Sequence, residues 1–115
     1  MAGAEITFQE LETGEAPDVL VACAHGMRRS VDLVTKMRAT GMVAFYLSRG
    51  LVGLQGVEEK KIAQAFVRPK VVAITVSERE LGENEVMRLI VGAISSLRAE
   101  PAIISTVEEE ILQRI

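Results

Sequence analysis

The sequence predicts an α/β fold: a three-layer, doubly wound, four-stranded parallel sheet whose first strand runs through a loop into a helix. Three observations predict it. Short apolar runs alternate with amphipathic segments along the whole chain, giving the order βαβαβαβα. The runs are continuous rather than alternating, as in strands buried on both faces. The side chains available for the core are Val, Ile, Leu, Ala and Met, because 49% of residues are hydrophobic while aromatic residues amount to 3%. Crossovers between parallel strands are right-handed, and ligands of such sheets lie outside the carboxyl ends of the strands.

The elements follow in order. Residues 1–17 are mixed and acidic, with Glu5, Glu10, Glu12 and Glu15 and a turn cluster from Thr13 to Pro17, and read as a leader or an edge strand over Glu5 to Phe8. Residues 18–115 read as one domain. Asp18 to Ala22 is the first buried strand, with Cys23 at its carboxyl end. From Arg29 to Thr40, the spacing of Val31, Leu33, Val34 and Met37 predicts a helix that stops before Gly41. Met42 to Leu47 is the second strand. Val57 to Phe66 is an amphipathic helix with Glu58, Glu59, Lys60 and Lys61 in water, and Met37 and Met87 belong to the core. Val71 to Val76 is the clearest buried strand. Ser77 and Glu80 form a capping box that opens a helix running through Leu81, Val86, Leu89, Ile90 and Ala93 to about Leu97. Ala102 to Ser105 is a brief last strand, and Thr106 with Glu109 repeats the capping pattern before a terminal helix.

Composition narrows the function. Thirteen basic against sixteen acidic residues leave a formal charge of −3, so no broad basic surface invites nucleic acid or an anionic membrane. One cysteine forms neither an internal disulfide nor a multi-cysteine metal cage. Neither a secretory signal nor an apolar stretch of ~20 residues is read, and a cytoplasmic protein without metal or cofactor is expected.

Chemistry is concentrated in Cys23-Ala24-His25-Gly26-Met27-Arg28-Arg29-Ser30, the pattern Cys-x5-Arg-Ser. A loop curling from a strand end into a helix turns successive backbone N–H groups inward, a nest for an oxyanion. Gly26 suits the positive φ of a tight curl. Arg29, in the first turn of the helix, can present a planar fork to two phosphate oxygens. Such a setting favours the thiolate of Cys23, which can attack phosphorus, and the Ser30 hydroxyl can hydrogen-bond the sulfur. Ala24, His25, Gly26, Met27, Arg28 and Arg29 are thus the expected phosphate cradle, and Cys23, Arg29 and Ser30 the catalytic set.

These residues resemble the signature loop of cysteine-based phosphatases, in which the cysteine is the nucleophile and the arginine binds phosphate. The early position of the loop is similar to that in low-molecular-weight protein tyrosine phosphatases. The resemblance implies a phosphatase-like domain over 18–115 that hydrolyses phosphomonoesters, with a phosphate ester or phosphoprotein as partner. That family protonates the leaving group with an aspartate on a later loop. Here the aspartates are Asp18, at the wrong end of the first strand, and Asp32, on the first helix; Glu78, Glu80, Glu83, Glu85 or His25 could reach the site instead. A weak or degenerate enzyme is therefore within the expectation.

Cys23 to Met27, Ser30, Leu33-Val34 and Lys36-Met37 are also similar to the IIB components of the sugar phosphotransferase system. That likeness implies a phosphocysteine carrier, from which Arg28-Arg29 depart by making the loop more cationic. A non-catalytic anion-binding or interaction protein is the third alternative. The glycines of Arg49 to Gly56 suggest a flexible loop beside the phosphate site, contributing Arg49, or a plain connection to the next helix. Leu51, Val52 and Leu54, apolar residues in a loop, would suit contact with a second copy in a homodimer.

Overall fold

The computed structural model describes residues 3–24, 28–98 and 102–115. Its sheet has five parallel strands, β1 (Glu5–Ile6), β2 (Val19–Cys23), β3 (Ala44–Leu47), β4 (Val71–Thr75) and β5 (Ile103–Ile104), in the spatial order β1-β3-β2-β4-β5. The described helices are α1 (Phe8–Thr13), α2 (Arg28–Ala39), α3 (Glu59–Phe66), α4 (Glu78–Glu83), α5 (Glu85–Leu97) and α6 (Glu108–Arg114), with a 3-10 turn at Leu51–Leu54. The sheet is thus wider than the four strands expected. The extra strand is β1, which pairs with β3 through Glu5–Tyr46 and Ile6–Leu47.

All five residues of β2 are buried, which is why the segment reads as an unbroken apolar run. Successive side chains alternate between the two faces. Val19 and Val21 pack with Leu33, Val34 and Met37 of α2 and Ile111 of α6, while Leu20 and Ala22 join a separate cluster that includes residues of α1, α3 and α5. Helices therefore cover both faces.

Helix α2 stops as expected. Gly41 takes φ +92°, and the Met42 N–H returns to the Met37 carbonyl at 3.2 Å while Gly41 N–H returns to Arg38 at 3.0 Å, a Schellman closure. The Ser77–Glu80 capping box opens α4, also as expected.

Of the two readings of the N-terminal segment, the edge strand forms as β1, and beyond it Thr7 and Glu10 form a capping box that starts α1, on which Leu11 is fully buried. Three local expectations need correction. The helix expected from Ser77 to Leu97 is two helices, because Asn84 is extended at φ −119°, ψ 103° and its side chain caps the N-terminus of α5 by accepting from Met87 N–H. The break changes the phase of the stripe, so Met87, Ile90, Val91 and Ile94 are buried while Leu89 is exposed. The Thr106–Glu109 box does not form; Val107 occupies the cap position, and Ser105 Oγ accepts from its N–H at 3.0 Å. Finally, Leu51 and Leu54 are core residues, with the 3-10 turn placing them in the same cluster as α5, so they are withdrawn from the surface proposed for a second copy. Met37, Met87 and the charged run from Glu58 to Lys61 lie where expected, the methionines buried and the charges exposed.

Topology positions the site. The chain leaves β2 through α2 to β3 on one side of it, then crosses through α3 to β4 on the other. The winding reverses between β2 and β4, and their carboxyl ends border the crevice where parallel sheets bind ligands. Cys23 and Thr75 end these two strands as a register pair.

Candidate functional site

Cys23 is 2% exposed at the end of β2, and three groups converge on its sulfur. The backbone N–H of Ser30, in the first turn of α2, donates to Sγ at 3.1 Å. Ser30 Oγ lies 2.6 Å from Sγ. Thr75 Oγ1 reaches Sγ at 3.1 Å from the neighbouring strand and lies 3.5 Å from the Ala22 carbonyl.

Ser30 and Thr75 are buried polar side chains, at 1% and 2% exposure, and both are directed at this sulfur. Buried hydroxyls are destabilising unless partnered. A cysteine acting only as a small hydrophobe is packed by carbon, whereas the Cys23 sulfur is met by one backbone N–H and two hydroxyls.

The loop is braced from the other side. Gly50 has φ +67°, and a Cβ there would stand 2.9 Å from the Cys23 carbonyl oxygen and 3.2 Å from that of Ala24. Val52 N–H donates to the Ala24 carbonyl at 2.9 Å. Arg49, just before, is the only described non-glycine residue at positive φ, +68°. The backbone of the glycine-containing segment is thus fitted against Cys23 and Ala24. Residues held at positive φ are strained, and such strain clusters at functional sites.

Arg29, the second residue of α2, is half-exposed and pairs with Glu80 through Nη2–Oε1 at 3.0 Å. The other Glu80 oxygen accepts from Ser77 N–H at 3.2 Å within the capping box. The expected phosphate clamp is therefore held by a carboxylate from the first turn of α4, after β4. Glu80 also lines a cleft with Ala24, Asn84 and Met87. Asp18 pairs with Lys70 at 3.5 Å, at the end of β2 remote from Cys23.

Of the residues chosen from the sequence, Cys23, Ala24 and Ser30 come together; Arg28 is exposed, and Arg29 turns to Glu80. His25, Gly26 and Met27 lie outside the described residues. Thr75 was missed, though a hydroxyl closing an otherwise apolar strand is a visible signal. The Arg29–Glu80 pair spans 51 positions and carries no such signal.

A second cavity, of about 130 Å³, opens beside Arg29 and Thr75 and extends toward α6. There Lys36 of α2 and Glu108 of α6 are bridged at 2.9 Å, and hydrogen bonding to that carboxylate, ahead of its charge, raises the Lys36 ammonium above its usual range.

The fold and site define a class: a parallel α/β protein with a hydroxyl-supported cysteine at the point where the winding of its sheet reverses. Comparison with protein-family models, with curated proteins and with solved structures finds no match. Among the described residues, no helix is long and apolar enough to cross a membrane.

Proposed function

We propose that this chain is a cysteine-dependent phosphomonoester hydrolase of the protein tyrosine phosphatase type, on a three-layer, doubly wound sheet, acting in the reducing cytoplasm. The observation that carries the reading is the pair of buried hydroxyls, Ser30 and Thr75, aimed at one sulfur. The Cys-x5-Arg-Ser spacing and the position of Cys23 at the reversal of the sheet support it.

In this mechanism Cys23 Sγ attacks phosphorus, an S–P bond forms, and the P–O bond to the alcohol breaks. Glu80, once released by Arg29, takes a proton from solvent and passes it to the departing oxygen. Water then attacks the phosphocysteine, giving its proton to Glu80; the S–P bond breaks, and inorganic phosphate and the thiolate are released. Arg29 exchanges Glu80 for two phosphate oxygens, a bidentate geometry that suits guanidinium. Ser30 and Thr75 stabilise the sulfur as it becomes a leaving group. The direct test is turnover of a chromogenic aryl phosphate at mildly acidic pH by the wild type and Cys23→Ser; equal rates would sink the reading.

The engagement of Arg29 with Glu80 favours a second reading, a phosphocysteine carrier that does not clamp an ester. It requires a stable phosphocysteine after incubation with phosphotransferase-system donor proteins, without hydrolysis of free esters.

A further inference from the structure

Glycines recur at every third residue after β3, and each meets a different neighbourhood. A Cβ on Gly50 would stand 2.9 Å from the Cys23 carbonyl oxygen. Gly53 is not at positive φ, but a Cβ there would stand 3.0 Å from Cβ of Arg49 and 4.0 Å from its Cδ. Gly56, at φ +88°, has nothing within 4 Å of such a Cβ. Gly50 therefore makes room for the cysteine loop, Gly53 makes room for the Arg49 side chain, and Gly56 serves the turn alone.

Arg49 itself takes φ +68°. A residue with a Cβ is disfavoured there, whereas glycine adopts that angle without strain. Glycine would also leave the turn free to sample other backbone conformations. What Arg49 adds is a stem lying along Gly53, which ties one end of the turn to the other. The turn is fixed elsewhere as well: Gly50 N–H donates to the Leu47 carbonyl at 3.2 Å, Val52 N–H donates to the Ala24 carbonyl at 2.9 Å, and Leu51 and Leu54 are buried in the core.

Carbonyl oxygens are the negative ends of the peptide dipoles, so they repel an oxyanion that they face. Those of Cys23 and Ala24 are received by the turn on the β3 side of β2. Ser30 and Thr75 meet the sulfur from α2 and from β4, the strand on the other side of β2. We infer that Arg49 is a positioning residue for the oxyanion site: its stem, laid along Gly53, holds the Arg49–Gly50 turn in one conformation, and the turn keeps the Cys23 and Ala24 carbonyl oxygens from an anion bound at the sulfur. The inference rests on the anion site that the phosphatase and carrier readings share, and not on hydrolysis.

Calorimetry of inorganic phosphate binding, paired with urea unfolding, tests it. Arg49→Gly should weaken phosphate binding about threefold to tenfold, the scale of one hydrogen bond. Its urea midpoint should stay at or above that of the wild type, because the strain at φ +68° is relieved. Arg49→Met, which keeps an unbranched stem without the charge, should bind phosphate as the wild type does. Gly53→Ala, whose Cβ would press on Arg49 at 3.0 Å, should weaken phosphate binding in the wild type and have no further effect in Arg49→Gly. Wild-type affinity in Arg49→Gly, or a loss of affinity that only follows a lowered urea midpoint, overturns the inference. So does a Gly53→Ala loss that persists in Arg49→Gly. Binding by Arg49→Met as weak as that of Arg49→Gly also overturns it, and would make the guanidinium itself the anion contact. A wild-type protein that binds no phosphate overturns the anion site and this inference with it, whereas turnover of aryl phosphate bears on the hydrolase reading alone.

Discussion

Arg29 of α2 and Glu80 of α4 meet at 3.0 Å, joining the first turns of the two helices that follow the central strands β2 and β4. The pair occupies the guanidinium an incoming phosphate would need, and it holds a carboxylate beside the loop that carries Cys23. On the proposed phosphatase mechanism, anion binding and the position of the acid are coupled through this one ion pair.

That coupling predicts opposite effects on binding and turnover. Glu80→Gln should release Arg29 and tighten inorganic phosphate binding by up to about fivefold, the equivalent of ~1 kcal/mol for a partly exposed pair. The same change should lower kcat ~100-fold or more on esters with poor leaving groups. Calorimetry and a leaving-group series measure the two effects; unchanged phosphate affinity would show that Glu80 does not compete for Arg29.

Ser30→Ala and Thr75→Val each remove one hydroxyl from the sulfur. Each should lower the rate of phosphocysteine hydrolysis about tenfold to a hundredfold, as expected for a hydrogen bond of ~1.5–3 kcal/mol to a charged group. Single-turnover kinetics on a phosphate ester resolve this step. Loss of melting temperature in place of the rate effect would mean that the hydroxyls only fill the core.

Gly50 and Gly41 both sit at positive φ, but only Gly50 faces a crowded backbone, since nothing lies within 4 Å of a Cβ at Gly41. Gly41→Ala should cost about 1 kcal/mol and keep activity. Gly50→Ala adds a 2.9 Å contact with the Cys23 carbonyl and should destabilise by ~2–4 kcal/mol while lowering turnover. Urea midpoints and phosphatase rates on the two variants separate backbone strain from pressure on the cysteine loop.

Leu11 tests whether the first seventeen residues belong to the fold. It is fully buried on α1 within the cluster containing Ile62 and Phe66, so Leu11→Ala should destabilise by ~2–5 kcal/mol. Thr7→Ala, which removes the cap hydroxyl, should cost ~1 kcal/mol. Denaturant unfolding measures both, and a stability change near zero for Leu11→Ala would return this segment to the role of a leader.

Much of the fold was legible because its signals are local. The apolar runs of β2 and β4, the Gly41 stop and the Ser77–Glu80 box each depend on residues within a few positions of one another. The Thr7–Glu10 box was equally local but sat in an acidic stretch whose charge masked it. Asn84 was harder to read: whether it continues a helix or breaks and caps one depends on how the following apolar residues dock.

The sequence by itself determined the strand that ends at Cys23 and the helix that carries Ser30, and with them the Ser30 N–H and hydroxyl at the sulfur, because the two residues are only seven positions apart. Only the tertiary structure decided the rest. Parallel pairing of β2 with β4 brought Thr75 to Sγ across 52 positions, and the crossover to α4 set Glu80 against Arg29. Packing of α6 beside α2 placed Glu108 on the lining of the cavity that also meets Arg29 and Thr75. The physical reason is range: caps, turns and apolar periodicity act over about one turn of chain, whereas a site assembled from the ends of several parallel strands exists only once the crossovers bring them side by side.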